Sequence, residues 1–251
     1  MKQFPSCEES CFITFILKTT LILALNFSSC YNFFMEFKAA IFDLDGVIVD
    51  TVPLHFKAWE RMFNDYGKKF DFNDYKQKVD GIPRIDGCRA ILTDFSDEKI
   101  TEASEKKQSY YMQYLNEDGV KVYDTTVLLI KNIIAAGIHT AVVSSSKNLP
   151  FILDKVGLTD KFEVRISGSD VTKGKPDPQV FLMAAEKLGI LPTESVVFED
   201  ATLGVEGAKR ANMHCVGIDR TDRPDLFKKA DIIVKDLGEI DLARLQSLFS
   251  C

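Results

Sequence analysis

The stretch Ala39 to Thr51, reading AAIFDLDGVIVDT, constrains this chain more than any other, because an apolar run ends in it on two acids and a glycine. A short apolar run bounded by a Gly-containing turn reads as a buried strand. Asp43 then stands at the C-terminal end of that strand, where open α/β sheets place their ligands. In extended chain, residues two apart point to the same side. Asp43 and Asp45 can therefore face one pocket while Leu44 turns back into the core. Neighbouring carboxylates repel each other unless a proton or a cation sits between them. A solvated strand-end turn would carry the same two acids, so the other strand ends have to decide.

The chain after this stretch alternates between two patterns. Residues 51 to 66 have helical character, with Thr51, His55 and Trp59 at i, i+4 and i+8 on one face. From 70 to 117 the sequence stays charged and helical, punctuated by Gly81, Pro83 and Gly87, and holds no convincing buried strand. It reads as an all-helical insert between the first strand and the rest of the sheet. From Val120 onward, apolar runs at 140–143, 164–166, 195–198, 214–218 and 231–234 alternate with helical stretches, the last of them at 241–249. Strands alternating with helices of roughly ten residues mean βαβ units and a parallel sheet covered on both faces. The expected fold is α/β, a doubly wound, Rossmann-like parallel sheet over 35–50 and 119–251, with a small helical cap domain at 51–118 inserted after the first strand.

At 251 residues and 46% hydrophobic, the chain can bury a large core in one large domain or two modest ones. The net charge of -6, with no basic run, argues against nucleic acid but leaves room for small anionic substrates. Half of the six cysteines lie in the first 30 residues, and none forms a C-x-x-C pair. Sparse cysteine over the rest suits a reducing cytosol. Residues 1–34 differ in character from the rest of the chain. Their apolar stretch from Phe12 to Phe27 is broken by Lys18 and is shorter than the roughly 20 residues that span a bilayer. A signal or anchor, an amphipathic arm, and sequence upstream of a start at Met35 all remain open. The abrupt onset of the globular pattern at Met35 favours the last, with 1–34 outside the fold. No membrane contact is expected of the folded part, and a monomer is expected.

Three strand ends carry polar residues that buried strands do not otherwise need: Asp43 and Asp45, Ser144 through Asn148, and Glu199 with Asp200. Parallel strands would bring all three to one edge of the sheet. Four carboxylates without a histidine beside them make an oxygen-rich site, the composition that suits Mg²⁺. The cationic complement is Lys175, which Pro176 holds on a loop. Taken singly, a loop lysine is a solvated charge and the serines are a helix cap. Capping and anion binding are compatible, because free N–H groups at a helix start attract phosphate oxygens.

Asp43-Leu44-Asp45-Gly46-Val47, Ser144, Lys175-Pro176 and Glu199-Asp200, in this order, resemble the haloacid dehalogenase superfamily, in the branch with a helical cap after the first strand. Thr51, His55, Trp59, Gly81 through Arg84 and Ser144 through Asn148 look like its β-phosphoglucomutase group. The group's cap lysine matches Lys107. The resemblance implies an aspartyl-phosphate enzyme acting on a small phosphorylated sugar, with Asp43 as nucleophile and Asp45 as general acid and base. It implies Mg²⁺ held by Asp43, the Asp45 carbonyl, Glu199 and Asp200, and transferring oxygens held by Ser144, Ser145 and Lys175. Thr51, His55, Arg84, Lys107, Ser146, Lys147 and Asn148 would line the substrate and cap side, with His55 supporting Asp45 and Arg84 binding a distal phosphate. One departure stands out. Arg84 is followed by Ile85-Asp86-Gly87, where the group has a serine in place of the glycine, and that opens phosphatase activity on sugar or other small phosphomonoesters as an alternative.

Overall fold

The computed structural model describes residues 36–220 and 222–250, so the expectations for residues 1–34 lie outside the described residues. Strand β1 (Ala39–Asp43) is buried at every position and takes the centre of the sheet. It pairs in parallel with β4 (His139–Val143) on one side and β6 (Ser195–Glu199) on the other. With β5 (Val164–Ile166), β7 (His214–Ile218) and β8 (Ile232–Val234), the order is β5-β4-β1-β6-β7-β8, every pairing parallel. Parallel neighbours need crossovers, and helices supply them.

Successive residues of the central strands feed opposite faces. Phe42, Val142 and Phe198 pack on one side with Leu129, Ile130 and Ile133 of α4 (Asp124–Ala135). Ile41, Ala141, Val143 and Val197 pack on the other, with Phe181 and Ala184 of α6 (Gln179–Leu188) and Val205 and Ala208 of α7 (Thr202–Arg210). The short α5 (Leu149–Lys155) joins β4 to β5. Both faces being covered, the strands read as near-continuous apolar runs. At the C-terminus the expected single helix divides. Helix α8 (Leu242–Gln246), capped by Asp241, gives way to a 3₁₀ turn at Ser247–Phe249. That tighter turn sets Phe249 against Phe37, ring centroids 5.9 Å apart.

Between β1 and β4 lies the helical segment: α1 (Val52–Asp65), a turn at Phe72–Asp74 running into a π-helix at Tyr75–Val79, α2 (Arg84–Ile91) and α3 (Asp97–Glu117). It has its own apolar centre, including Trp59, Met62, Phe63, Tyr75, Leu92 and Ile100. Entry and exit run side by side, since β2 (Val49–Asp50) pairs antiparallel with β3 (Lys121–Val122). Gly87 reads in sequence as loop punctuation, yet it is buried inside α2. A Cβ there would lie 2.8 Å from the Trp59 ring, so the indole fills the space a side chain would need. Among the described residues, no helix is long and apolar enough to cross a membrane.

Phe42 and Phe198, both fully buried, stack with ring centroids 4.4 Å apart at the middle of the sheet. Phe198→Ala leaves a cavity there and should cost about 3–5 kcal/mol, measured as a lower urea midpoint at unchanged m-value.

Candidate active site

The site is built by topology before any side chain is considered. Adjacent strands lie about 4.8 Å apart, and β4, β1 and β6 are immediate neighbours. Their C-terminal ends therefore bring Ser144, Asp43 and the Glu199–Asp200 pair to one edge, although about 150 residues separate the first acid from the last. Two glycines make room for the acids. Gly46, at φ +83°, turns the chain after β1, and a Cβ on it would occupy the space of the Asp200 carboxylate. Gly204 of α7 does the same for Glu199.

Asp43, Glu199 and Asp200 each offer a carboxylate oxygen within 4.8 Å of the others. Lys175, itself buried, reaches between two of them: its Nζ is 2.5 Å from Asp43 Oδ1 and also donates to Glu199 Oε1. The other oxygen of Glu199 accepts from the Ala201 N–H at 2.9 Å. Burial works against the Lys175 ammonium, but the flanking carboxylates outweigh it and hold its pKa above the ordinary value. Burial raises Asp43 well above the usual carboxylate range even with Lys175 beside it, and Glu199 and Asp45 add repulsion. Burial likewise raises Asp200 to about 8, although Lys76 pulls it down. A buried acid cluster that one lysine leaves short of neutral is matched to a cation. Its donors are all oxygen, which fits a hard divalent ion such as Mg²⁺.

The Asp45 carboxylate lies outside that cluster and is held by three donors. Thr51 Oγ1 donates to Oδ1, Ser144 Oγ donates to Oδ2 at 2.9 Å, and His55 Nε2 stands 3.4 Å from Oδ1. Burial would raise Asp45, but hydrogen bonds from His55, Thr51 and Ser144 bring it down to about 2. His55 is backed in turn by Lys107, whose Nζ is 2.8 Å from His55 Nδ1, and its ring stacks on Tyr111 at 4.1 Å. Burial and then the charge of Lys107 lower the His55 pKa, so a neutral ring is favoured. A neutral imidazole with its proton on Nε2 satisfies both neighbours, donating to Asp45 and accepting from Lys107. Lys107 is 1% exposed, and burial followed by Arg84 lowers it to about 7.

Most of the sequence-predicted residues line two cavities. Asp43, Asp45, His55, Lys107, Lys175 and Asp200 line a small one of about 70 Å³. Beside it, Arg84, Ser144, Ser145, Ser146, Lys147 and Lys173 border a cavity of about 340 Å³. Arg84 donates to the Ser104 carbonyl at 3.0 Å. The Ser145 side chain reaches the helical segment, donating to the Gly81 carbonyl at 2.8 Å. The Ser146 N–H is taken by Ser144 Oγ at 2.9 Å. Asn148 lines neither cavity, because its side-chain amide pairs with Gln108 of α3. Sequence reasoning missed Gln108, Gly204 and the Lys76–Asp80 ion pair that flanks Asp200. Lys76 and Asp80 carry an i, i+4 signal, but that spacing reads as an ordinary exposed helix pair. Gln108 and Gly204 carry no local signal.

Lys107 titrates near 7 when folded against its ordinary 10.5. Between those values the unfolded chain holds the extra proton, so this group makes stability rise with pH across that window. Lys107→Met should flatten the rise between pH 7 and 10 in urea unfolding, whereas an unchanged slope would contradict a Lys107 that loses its proton near 7 in the folded chain.

Comparison with known proteins agrees with this geometry. The family model described as haloacid dehalogenase-like hydrolase matches residues 40–218. A β-phosphoglucomutase of Mycobacterium bovis is 36% identical over 238 residues, covering 81% of this chain and 91% of its own. The validoxylamine A 7'-phosphate phosphatase of Streptomyces hygroscopicus subsp. limoneus is 29% identical, covering 81% and 96%. The crystal structure of β-phosphoglucomutase from Clostridium difficile superposes with a TM-score of 0.77 at 28% identity, covering 84% of this chain and 96% of that one. The chain belongs to the haloacid dehalogenase-like hydrolases and is an enzyme of that type, a phosphomutase or a phosphatase.

Proposed function

We propose that the chain is a Mg²⁺-dependent β-phosphoglucomutase, converting β-glucose 1-phosphate to glucose 6-phosphate through a bound 1,6-bisphosphate. The observation that carries this reading is the position of Asp45. Two residues from the nucleophile, its carboxylate is held by Ser144 from the sheet and by His55, backed by Lys107, from the helical segment. An acid tied to both halves can exchange its proton with a sugar hydroxyl only when the halves are together. We take 51–118 as a cap over a core of 35–50 and 119–251, and the enzyme as a cytosolic monomer. Its buried, free Cys88 and Cys215 suit that compartment.

In this reading a sugar hydroxyl attacks the aspartyl phosphate, the bond from phosphorus to the Asp43 oxygen breaks, and the Asp45 carboxylate takes the hydroxyl proton. In the return step an Asp43 oxygen attacks phosphorus of the bisphosphate, the bond from phosphorus to the sugar oxygen breaks, and Asp45 gives that proton to the leaving oxygen. Lys175 and Ser144 hold the transferring oxygens, while Arg84 and Lys147, at the rim of the 340 Å³ cavity, receive the distal phosphate. His55 and Thr51 hold the Asp45 carboxylate in its proton-accepting form. Asp43, Glu199, Asp200 and the Asp45 carbonyl would hold Mg²⁺, whose charge would offset the repulsion between the attacking carboxylate and the phosphoryl group. Similarity to a validoxylamine A 7'-phosphate phosphatase supports a second reading, hydrolysis of the same intermediate by water, which uses the same residues.

Supplying β-glucose 1-phosphate with a trace of the 1,6-bisphosphate should yield glucose 6-phosphate. Accumulation of free phosphate instead would favour hydrolysis. Asp43→Asn should lower turnover by roughly 10³-fold or more and abolish the phosphoenzyme, and chelation should stop the reaction until Mg²⁺ is returned.

A further inference from the structure

Arg220, in the loop after β7, holds one residue of the turn after β1 from outside both cavities of the site. Its Nε donates to the Gly46 carbonyl at 3.3 Å. The rest of the guanidinium is committed elsewhere. One terminal nitrogen donates to the Lys235 carbonyl at 3.2 Å and to Asp236 Oδ2 at 3.3 Å. The guanidinium carbon lies 3.8 Å from the centre of the Tyr123 ring. Asp236 is itself fixed, since its Oδ1 accepts from the Gly238 N–H at 2.8 Å. Arg220 lines neither the 70 Å³ nor the 340 Å³ cavity, but borders a third, of about 370 Å³, together with Asp200.

What Arg220 holds is the least self-supporting residue of that turn. Gly46 stands at φ +83°, and the Asp200 carboxylate occupies the space a side chain would need. A glycine that makes room for an acid also gives up the stiffness that a Cβ confers. Its conformation is then set by what its two peptide groups bind. The Gly46 N–H donates to the Val49 carbonyl at 2.8 Å, which closes the turn on itself. The Gly46 carbonyl accepts from Arg220, which ties the turn to the segments after β7 and β8. On one side of Gly46 is the peptide bearing the Asp45 carbonyl, and on the other is the peptide that Arg220 holds. Rotation about the Gly46 backbone bonds would move that carbonyl relative to Asp200. A lysine could supply the charge but not the arrangement, because only a planar fork donates in two directions while its face rests on a ring.

We propose that Arg220 is a positioning residue for the metal site, fixing the Gly46 turn and so where the Asp45 carbonyl stands relative to Asp43 and Asp200. This rests on the reading that those three groups hold Mg²⁺, which the mutase and phosphatase readings share. Because Arg220 lines neither substrate-side cavity, it governs affinity for the ion and leaves sugar-phosphate binding alone.

The test uses the full chain with Arg220→Ala and Arg220→Lys. Mg²⁺ binding is followed by titration calorimetry without substrate, turnover against Mg²⁺ and sugar phosphate separately, and amide hydrogen exchange without metal. Arg220→Ala should weaken Mg²⁺ binding by roughly tenfold to a hundredfold, the loss of one hydrogen bond from a charged donor, at unchanged KM for β-glucose 1-phosphate. Arg220→Lys should recover little of that affinity. Guanidinium added to Arg220→Ala at millimolar concentration, far below denaturing levels, should restore it. Exchange in Arg220→Ala should quicken at Gly46, Ile48 and Val49, whose N–H groups close the turn, and stay unchanged in β4 and β6. Unchanged Mg²⁺ affinity in Arg220→Ala would overturn the proposal. So would full affinity in Arg220→Lys, which would reduce the residue to a point charge, or a loss that guanidinium leaves in place. If the unaltered chain binds no Mg²⁺, the metal reading fails, and exchange at the turn still decides whether Arg220 positions it.

Discussion

Three carboxylates crowded within 4.8 Å in a buried pocket are the constraint on which the rest of this structure depends. Like charges taken out of water are costly unless cations and donors surround them. Lys175 answers part of that demand from a loop, with Nζ set between Asp43 and Glu199. The Ala201 N–H answers another part at Glu199 Oε2. What is left over raises Asp43 and Asp200, a charge balance that suits a divalent ion. The sheet order serves the same cluster, since only neighbouring β1 and β6 could bring these acids so close. Gly46 and Gly204 serve it by having no side chain where the carboxylates lie.

Asp45 answers a different constraint. Its donors all stabilise the ionised form, so this acid is strong while its neighbour two residues earlier is weak. Two carboxylates two residues apart are thus held in opposite environments, one short of cations and one surrounded by donors. The donors come from opposite sides of a boundary, Ser144 from the sheet and His55 from the helical segment. Packing inside that segment holds His55 still: Tyr111 stacks on its ring, and Lys107, against the Trp59 and Tyr111 rings, reaches its Nδ1.

Much of the fold was legible because parallel strands buried on both faces have to be continuous apolar runs. The runs at Val164–Ile166 and His214–Ile218 read as strands and are strands. Within the helical segment less could be read. Nothing local marks Tyr75–Val79 as a π-helix, and Gly87 reads as a breaker until Trp59 is seen occupying its space. The clustered acids and Lys175 were legible because buried polar residues at strand ends have few structural uses. Gln108 was not, because a glutamine on a charged helix is ordinary and its meaning depends on Asn148, 40 residues away.

The sequence by itself determined the alternation of strands and helices, the helical insertion after β1, and the set of acids, serines and lysine that gather at the strand ends. These follow from hydrophobic period and from residue type, which are local properties. Only the tertiary structure decided how that set divides: Asp43, Glu199 and Asp200 around one space, Asp45 turned away to Thr51, Ser144 and His55. It also decided that Asn148 faces Gln108 instead of a cavity. The physical reason is that a carboxylate's partners and burial are set by elements brought together through strand order and helix packing, and neither is written in the few residues around it.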